Sequence, residues 1–188
     1  MSNALLSRRQ FLSKTFAGAA LLALSPSLLK TAQASLSATS RKLALLNLHT
    51  GERCALTFWE AGRYIPEALE NLSHLLRDHR NDATHTIDPA LFDLLAILHQ
   101  SLGTNAEFEV ISGYRSPESN AAMHARSSGV ASHSLHMEGK AMDIRVPGRA
   151  LTDVHRTALL LGLGGVGYYP TSNFVHVDTG RVRQWSGV

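Results

Sequence analysis

Ser134-Leu-His-Met-Glu-Gly-Lys-Ala-Met-Asp143 has the form S-x-H-x-x-G-x-A-x-D, with a histidine and a carboxylate on either side of a glycine turn. Further on, Phe174-Val-His-Val-Asp178 brings a second histidine. His136, Asp143 and His176 together are a chemically sensible ligand set for one zinc ion per chain. Two neutral imidazoles and one carboxylate leave a fourth tetrahedral position open, the pattern of a catalytic rather than a structural site. Gly139 and Ala141 are small, which lets the backbone turn closely enough for His136 and Asp143 to converge.

Working outward, residues 140–146 read as a strand. Met142, Ile144 and Val146 share one face and Ala141, Asp143 and Arg145 the other, so Asp143 points away from the apolar side. Residues 173–179 read as the last strand. His176 and Asp178, two apart, lie on one face of it, and Asn173 faces the other way. Upstream, residues 42–48 and 53–59 flank the turn His49-Thr-Gly-Glu52 and predict a hairpin. Leucines at helical spacing predict a helix over 66–76. Asp88-Pro89 predicts an N-cap with proline at the first helical position, and Leu91, Leu94, Leu95 and Leu98 form that helix's buried stripe. Residues 108–111 read as a strand, Ser116-Pro117 as a helix start, 127–132 as a loop, and Thr152-Asp153 as the start of a helix running to about Leu161. Gly162, Gly164, Gly165 and Gly167 read as a flexible approach to Tyr168-Tyr169-Pro170, and Arg181 to Trp185 closes the domain. A hairpin, two helices and then mixed elements predict an α+β domain with a small mixed sheet flanked by helices.

The chain has 188 residues, enough for one domain with a proper core, and a formal charge of +3. That charge sits at the N-terminus: residues 1–34 hold Arg8, Arg9, Lys14 and Lys30 and no acid. Taking those four from the 18 basic residues leaves 14 against 15 acidic ones. A near-neutral remainder offers no electrostatic case for nucleic acid. One cysteine, Cys54, excludes an intrachain disulfide and a thiolate zinc site. Ser7-Arg-Arg-Gln-Phe-Leu-Ser-Lys14 resembles a twin-arginine export signal. An apolar run follows, and then Ala32-Gln33-Ala34, a small-residue cleavage site. The apolar run is too short for a membrane span, so no stable insertion is expected once the signal is gone. The organisation expected is a signal over 1–34, a leader over 35–41 and a domain carrying the candidate zinc site over 42–188, working in the periplasm.

The joint pattern is more specific than any of its pieces: Ser112-Gly-Tyr-Arg-Ser116, then S-x-H-x-x-G-x-A-x-D, then Gly-Gly-Val-Gly-Tyr-Tyr, then Phe-Val-His-Val-Asp. It resembles the zinc D-Ala-D-Ala metallopeptidases of the M15 kind, and within them the periplasmic murein endopeptidase K branch. The likeness covers roughly residues 42–186. It implies the fold shared by the zinc D-Ala-D-Ala carboxypeptidases and the Hedgehog signalling domain, zinc held by His136, Asp143 and His176, and peptidoglycan as substrate. It favours hydrolysis of peptide cross-links in the cell wall. A D,D-carboxypeptidase that trims stem peptides is the alternative, and so is a cell-wall binding module that keeps the zinc fold without turnover.

One departure matters. Several relatives carry a catalytic acid three residues before the last histidine ligand, where this chain has Asn173, which cannot act as a base. By spacing, Asp178 is the substitute, acting either as the base or as the group that orients His176. His133, in the loop before His136, is a third candidate. Arg115 is the other expected catalytic residue, able to hold a carboxylate or to stabilise a forming oxyanion. A structural salt bridge is its other reading. Tyr114, Tyr168 and Tyr169 are available either to wall a peptide groove or to pack at the core edge.

Overall fold

A computed structural model of the protein describes residues 39–127 and 129–187. The expected export signal, and the leader up to residue 38, lie outside the described residues.

The elements in chain order are β1 (Ser40–Asn47), β2 (Arg53–Glu60), β3 (Arg63–Tyr64), α1 (Pro66–Leu75), α2 (Pro89–Ser101), β4 (Phe108–Ser112), α3 (Pro117–His124), a 3-10 turn (Leu135–Glu138), β5 (Ala141–Arg145), α4 (Leu151–Leu161), β6 (Gly165–Tyr169), β7 (Phe174–Asp178) and β8 (Arg183–Ser186). All eight strands join one mixed sheet in the order β3-β2-β1-β4-β5-β7-β6-β8. The β1–β4 and β6–β8 pairs are parallel and the rest antiparallel. The mixed sheet with helices agrees with the α+β reading.

The core forms where strand alternation meets helix stripes. Leu43 and Leu45 of β1, Phe108 and Val110 of β4, Met142 and Ile144 of β5, and Val175 and Val177 of β7 are buried. They share one core with Leu72 and Leu75 of α1, Leu91, Leu95 and Leu98 of α2, and Val154 and Ala158 of α4. Asp88 caps α2 as its sequence predicts, its side chain accepting from the backbone N–H of Ala90. The helix α4 begins at Leu151, a residue ahead of the sequence expectation, and its N-cap Ala150 has no side chain to bond. Among the described residues no helix is long and apolar enough to cross a membrane.

One expectation is overturned. Gly165 to Tyr169 is not a flexible approach but a paired strand, bonded to β7 on one side and β8 on the other. Glycine is a poor strand former, but here contact replaces propensity. A Cβ on Gly167 would lie 2.7 Å from the Trp185 ring, so this glycine is what lets the indole lie flat against the strand.

The sheet face opposite these helices carries Asp143 and His176, directly paired across β5 and β7. A bulge adds a third residue to that face. Val110 of β4 pairs with Ile144, but Ser112, two along, pairs with Asp143, only one along. The slip rotates Ser112 out of the core alternation of Phe108 and Val110 and onto the Asp143 face.

Candidate metal centre

His136 reaches the site from the 3-10 turn, which Ser134 caps through its side chain and Gly139 ends in a left-handed conformation at φ 65°. A Cβ on Gly139 would come 2.5 Å from the Thr86 carbonyl oxygen, so only glycine fits there. His136 is 3% exposed. Its Nδ1 bonds the Gly113 carbonyl oxygen at 2.7 Å, which fixes the proton there and leaves Nε2 as a bare acceptor. His176 is oriented the other way round. Its Nε2 bonds Asp178 Oδ2 at 3.1 Å, and its Nδ1 turns to Asp143 Oδ1 at 2.9 Å.

Three atoms able to ligate a metal therefore converge: His136 Nε2, His176 Nδ1 and Asp143 Oδ1. They are separated by 3.2 Å between the imidazoles and by 2.9 and 3.3 Å from each imidazole to the carboxylate. Ligands about 2.0–2.1 Å from a tetrahedral zinc lie about 3.3–3.4 Å apart, so the triangle has the right size. Each imidazole has its remote nitrogen engaged, the arrangement that orients histidine ligands. All three residues are buried and together could hold a metal ion. The electrostatics point the same way. Burial works against a charge on Asp143, but the two histidines outweigh it and hold its pKa well below the usual carboxylate range. For His176, burial disfavours the cation, yet its bonds to Asp143 and Asp178 raise its pKa to about 8. The two carboxylates thus favour positive charge at this point.

Asp178 lies on the face of His176 as expected, but behind it. It is 0% exposed and does not line the cleft. Its Oδ1 accepts from the backbone N–H groups of Gly165 and Gly180 and from Arg183, and its Oδ2 accepts from Arg183 and faces His176. Burial raises its pKa, but the bonds from His176 and Arg183 prevail and keep it ionised. Asn173 sits in the turn before β7 at φ 55° and borders a separate depression with Glu109 and Arg145.

The triangle of His136, Asp143 and His176 opens into a cleft of about 560 Å³. Arg115 lines it, 7% exposed, with Nη2 4.0 Å from Asp143 Oδ2 and Nη1 3.4 Å from Asn120 Oδ1. Its Nε has no partner among the described residues. Burial pulls its pKa down and Asp143 pushes it back up. His133 is exposed on the same cleft wall. Of the three tyrosines only Tyr169 lines the cleft. Tyr114 is buried and stacked on His85, and Tyr168 stacks on His155.

Three features of the cleft escaped the sequence reading. Trp185 lies 5.1 Å from the His176 ring and donates from Nε1 to the Tyr169 hydroxyl at 2.9 Å. Ser112 is brought in by the bulge. Arg80 and His49 enter from loops far away in sequence. The one available signal was Gly167, whose missing side chain is the space Trp185 fills.

Known proteins resemble this chain over most of its length. A family described as peptidoglycan L,D-endopeptidase MepK matches residues 35–185. The protein of that name in Escherichia coli strain K12 is 49% identical over 145 residues, covering 77% of this chain and 80% of the relative. The Shigella flexneri protein of the same name matches to the same extent. In Haemophilus influenzae a probable peptidoglycan L,D-endopeptidase MepK is 48% identical over 149 residues, 79% of this chain and 80% of the relative.

Proposed function

The chain belongs to the MepK family of peptidoglycan L,D-endopeptidases, and from that membership we propose that it is a zinc-dependent hydrolase of peptide cross-links in the cell wall, with His136, Asp143 and His176 as the metal ligands. The observation that carries the metal assignment is the convergence of three atoms able to ligate a metal at 2.9–3.3 Å, each imidazole held by a bond to its other nitrogen. The fold shared by zinc D-Ala-D-Ala peptidases and the Hedgehog domain goes with this reading. So does work outside the cytoplasm, where peptidoglycan lies, after twin-arginine export from residues 1–34.

Bound at the triangle, zinc would polarise the scissile carbonyl and lower the pKa of a water to about 7. The chain's own residues do the rest. Arg115, a buried guanidinium with a spare Nε–H, faces the charge that develops on the carbonyl oxygen. Gly113 and Asp178 keep both imidazoles in the tautomer that presents a lone pair to the metal. Asp178 acts as this orienting group rather than as the base, because its oxygens are already engaged by the Gly165 and Gly180 N–H groups, Arg183 and His176. His133, exposed on the cleft wall next to the turn that bears His136, is the residue we assign to accept the water proton.

Asp178→Asn separates its two roles. We expect zinc affinity to fall by about 10–100-fold, with hydrolysis restored by added zinc. A loss of about 10²–10⁴-fold at full metal occupancy would instead make Asp178 the base. The reaction itself is tested with cross-linked muropeptide dimers and free pentapeptides side by side. Dimers should fall to monomers with pentapeptides untouched. Release of terminal D-Ala with dimers intact would make the chain a carboxypeptidase.

A further inference from the structure

The sheet order gives the cleft two unlike ends. The ligands stand on β5 and β7 and on the turn beside them. Trp185, on β8, and Tyr169, on β6, lie toward one edge. His49 follows β1, toward the other edge, and stacks on His79 with ring centroids 3.7 Å apart, next to Arg80. Arg80 and His49 both line the cleft. A peptide laid across the ligands therefore meets an aromatic wall on one side and a guanidinium on the other.

The charges of the cleft leave that guanidinium without a full partner. Among the described residues its lining holds three arginines and one carboxylate, Asp143, which belongs to the ligand set. Arg183 is taken by two bonds to Asp178. Arg115 already leans on Asp143. Arg80 has only a long contact, Nη1 to Asp78 Oδ1 at 3.4 Å, out of five N–H donors. Asp78 serves as a clamp more than as a counter-ion. Fully buried, it accepts from the backbone N–H of Arg80 at 3.1 Å and of Ser116 at 2.9 Å. It thereby ties the Arg80 loop to the segment that carries Arg115. A second donor lies on the same side of the ligands. Ser112, 6% exposed and lining the cleft, has a buried hydroxyl with no partner among the described residues. A buried hydroxyl without a partner is costly, so one facing a binding cleft points to a ligand atom that satisfies it.

We propose that Arg80, with Ser112 beside the ligands, forms a carboxylate subsite, and that Arg80 selects cross-links carrying a free carboxylate on the β1–β4 side of the scissile amide. This deepens the endopeptidase reading and rests on it for the substrate class. A free α-carboxylate and its amide differ by one charge at nearly constant shape. A guanidinium that bonds the acid through two N–H groups loses that charge-assisted pairing with the amide.

The test uses two synthetic cross-linked peptides that differ only in whether that carboxylate is free or amidated. Wild-type chain should favour the free acid by about 10–100-fold, the scale of a charge-assisted hydrogen bond. In Arg80→Gln the free acid should drop to the level of the amide, chiefly through KM, and Arg80→Lys should recover part of the preference. Arg80 is a partly exposed loop residue with one weak side-chain bond, and a thermal melt checks that the variant is folded. A preference that survives Arg80→Gln, or a wild-type chain that never discriminates, overturns the subsite. Calorimetric binding of the same two peptides reads it independently of bond cleavage. If wild-type chain binds the acid selectively but cleaves neither peptide, the endopeptidase reading fails and the subsite stands.

Discussion

His136→Ala should yield a folded chain that retains no zinc and cleaves no cross-linked peptide. On the proposed assignment the residue is one of three protein ligands, from a turn that neither of the others shares. Two ligands on paired strands, Asp143 and His176, remain, and they cannot close a tetrahedral site. The structural cost is local. The substitution leaves the Gly113 carbonyl without its imidazole donor, worth about 1–3 kcal/mol if water does not replace it. The helix-packed core is on the other face of the sheet and is untouched. Elemental analysis and circular dichroism should therefore separate, with metal lost and fold kept. Stoichiometric zinc in the variant, or in His136→Ala combined with His176→Ala, would sink the ligand assignment.

Arg115→Met should lower kcat by about 10²–10³-fold at unchanged zinc content, the effect of removing a donor aimed at a forming oxyanion. The side chain is placed for this by its neighbours, with Nη2 4.0 Å from Asp143 Oδ2. Its backbone N–H donates to the His136 carbonyl at 3.1 Å, which locks it to the turn bearing that ligand, and Asn120 holds Nη1. Steady-state kinetics on a cross-linked dimer distinguish two roles. A fall in kcat at near-constant KM fits charge stabilisation in the transition state. A rise in KM alone would make Arg115 a clamp for a terminal carboxylate and would favour the carboxypeptidase reading.

What could be read from the sequence followed from short-range rules. Strand parity put Asp143 opposite Met142 and Ile144, and put His176 and Asp178 on one face, because alternation depends only on neighbours. Asp88-Pro89 announced a helix start for the same reason. The misses were settled by distant contacts. Gly165 and Gly167 lack strand propensity and became a strand because β8 brings Arg183 and Trp185 against them. Asp78 and Ser116 are 38 residues apart, so nothing local marks Arg80 as part of the cleft. Spacing could put Asp178 beside His176 but could not show that five contacts surround its two oxygens. The β4 bulge left only a faint mark: Phe-Glu-Val-Ile-Ser breaks its alternation at Val110-Ile111, and only pairing with β5 shows the slip at Ser112.

The claim that ties these residues together is metal-dependent cleavage of a cross-link. It is tested most directly by stripping the chain with chelator, adding back zinc in measured steps, and following a purified cross-linked muropeptide dimer by mass. Cleavage should be absent without metal, rise in proportion to zinc, and saturate at one ion per chain with monomers as the product. Full dimer cleavage by the metal-free chain, or intact dimers at saturating zinc, would contradict it.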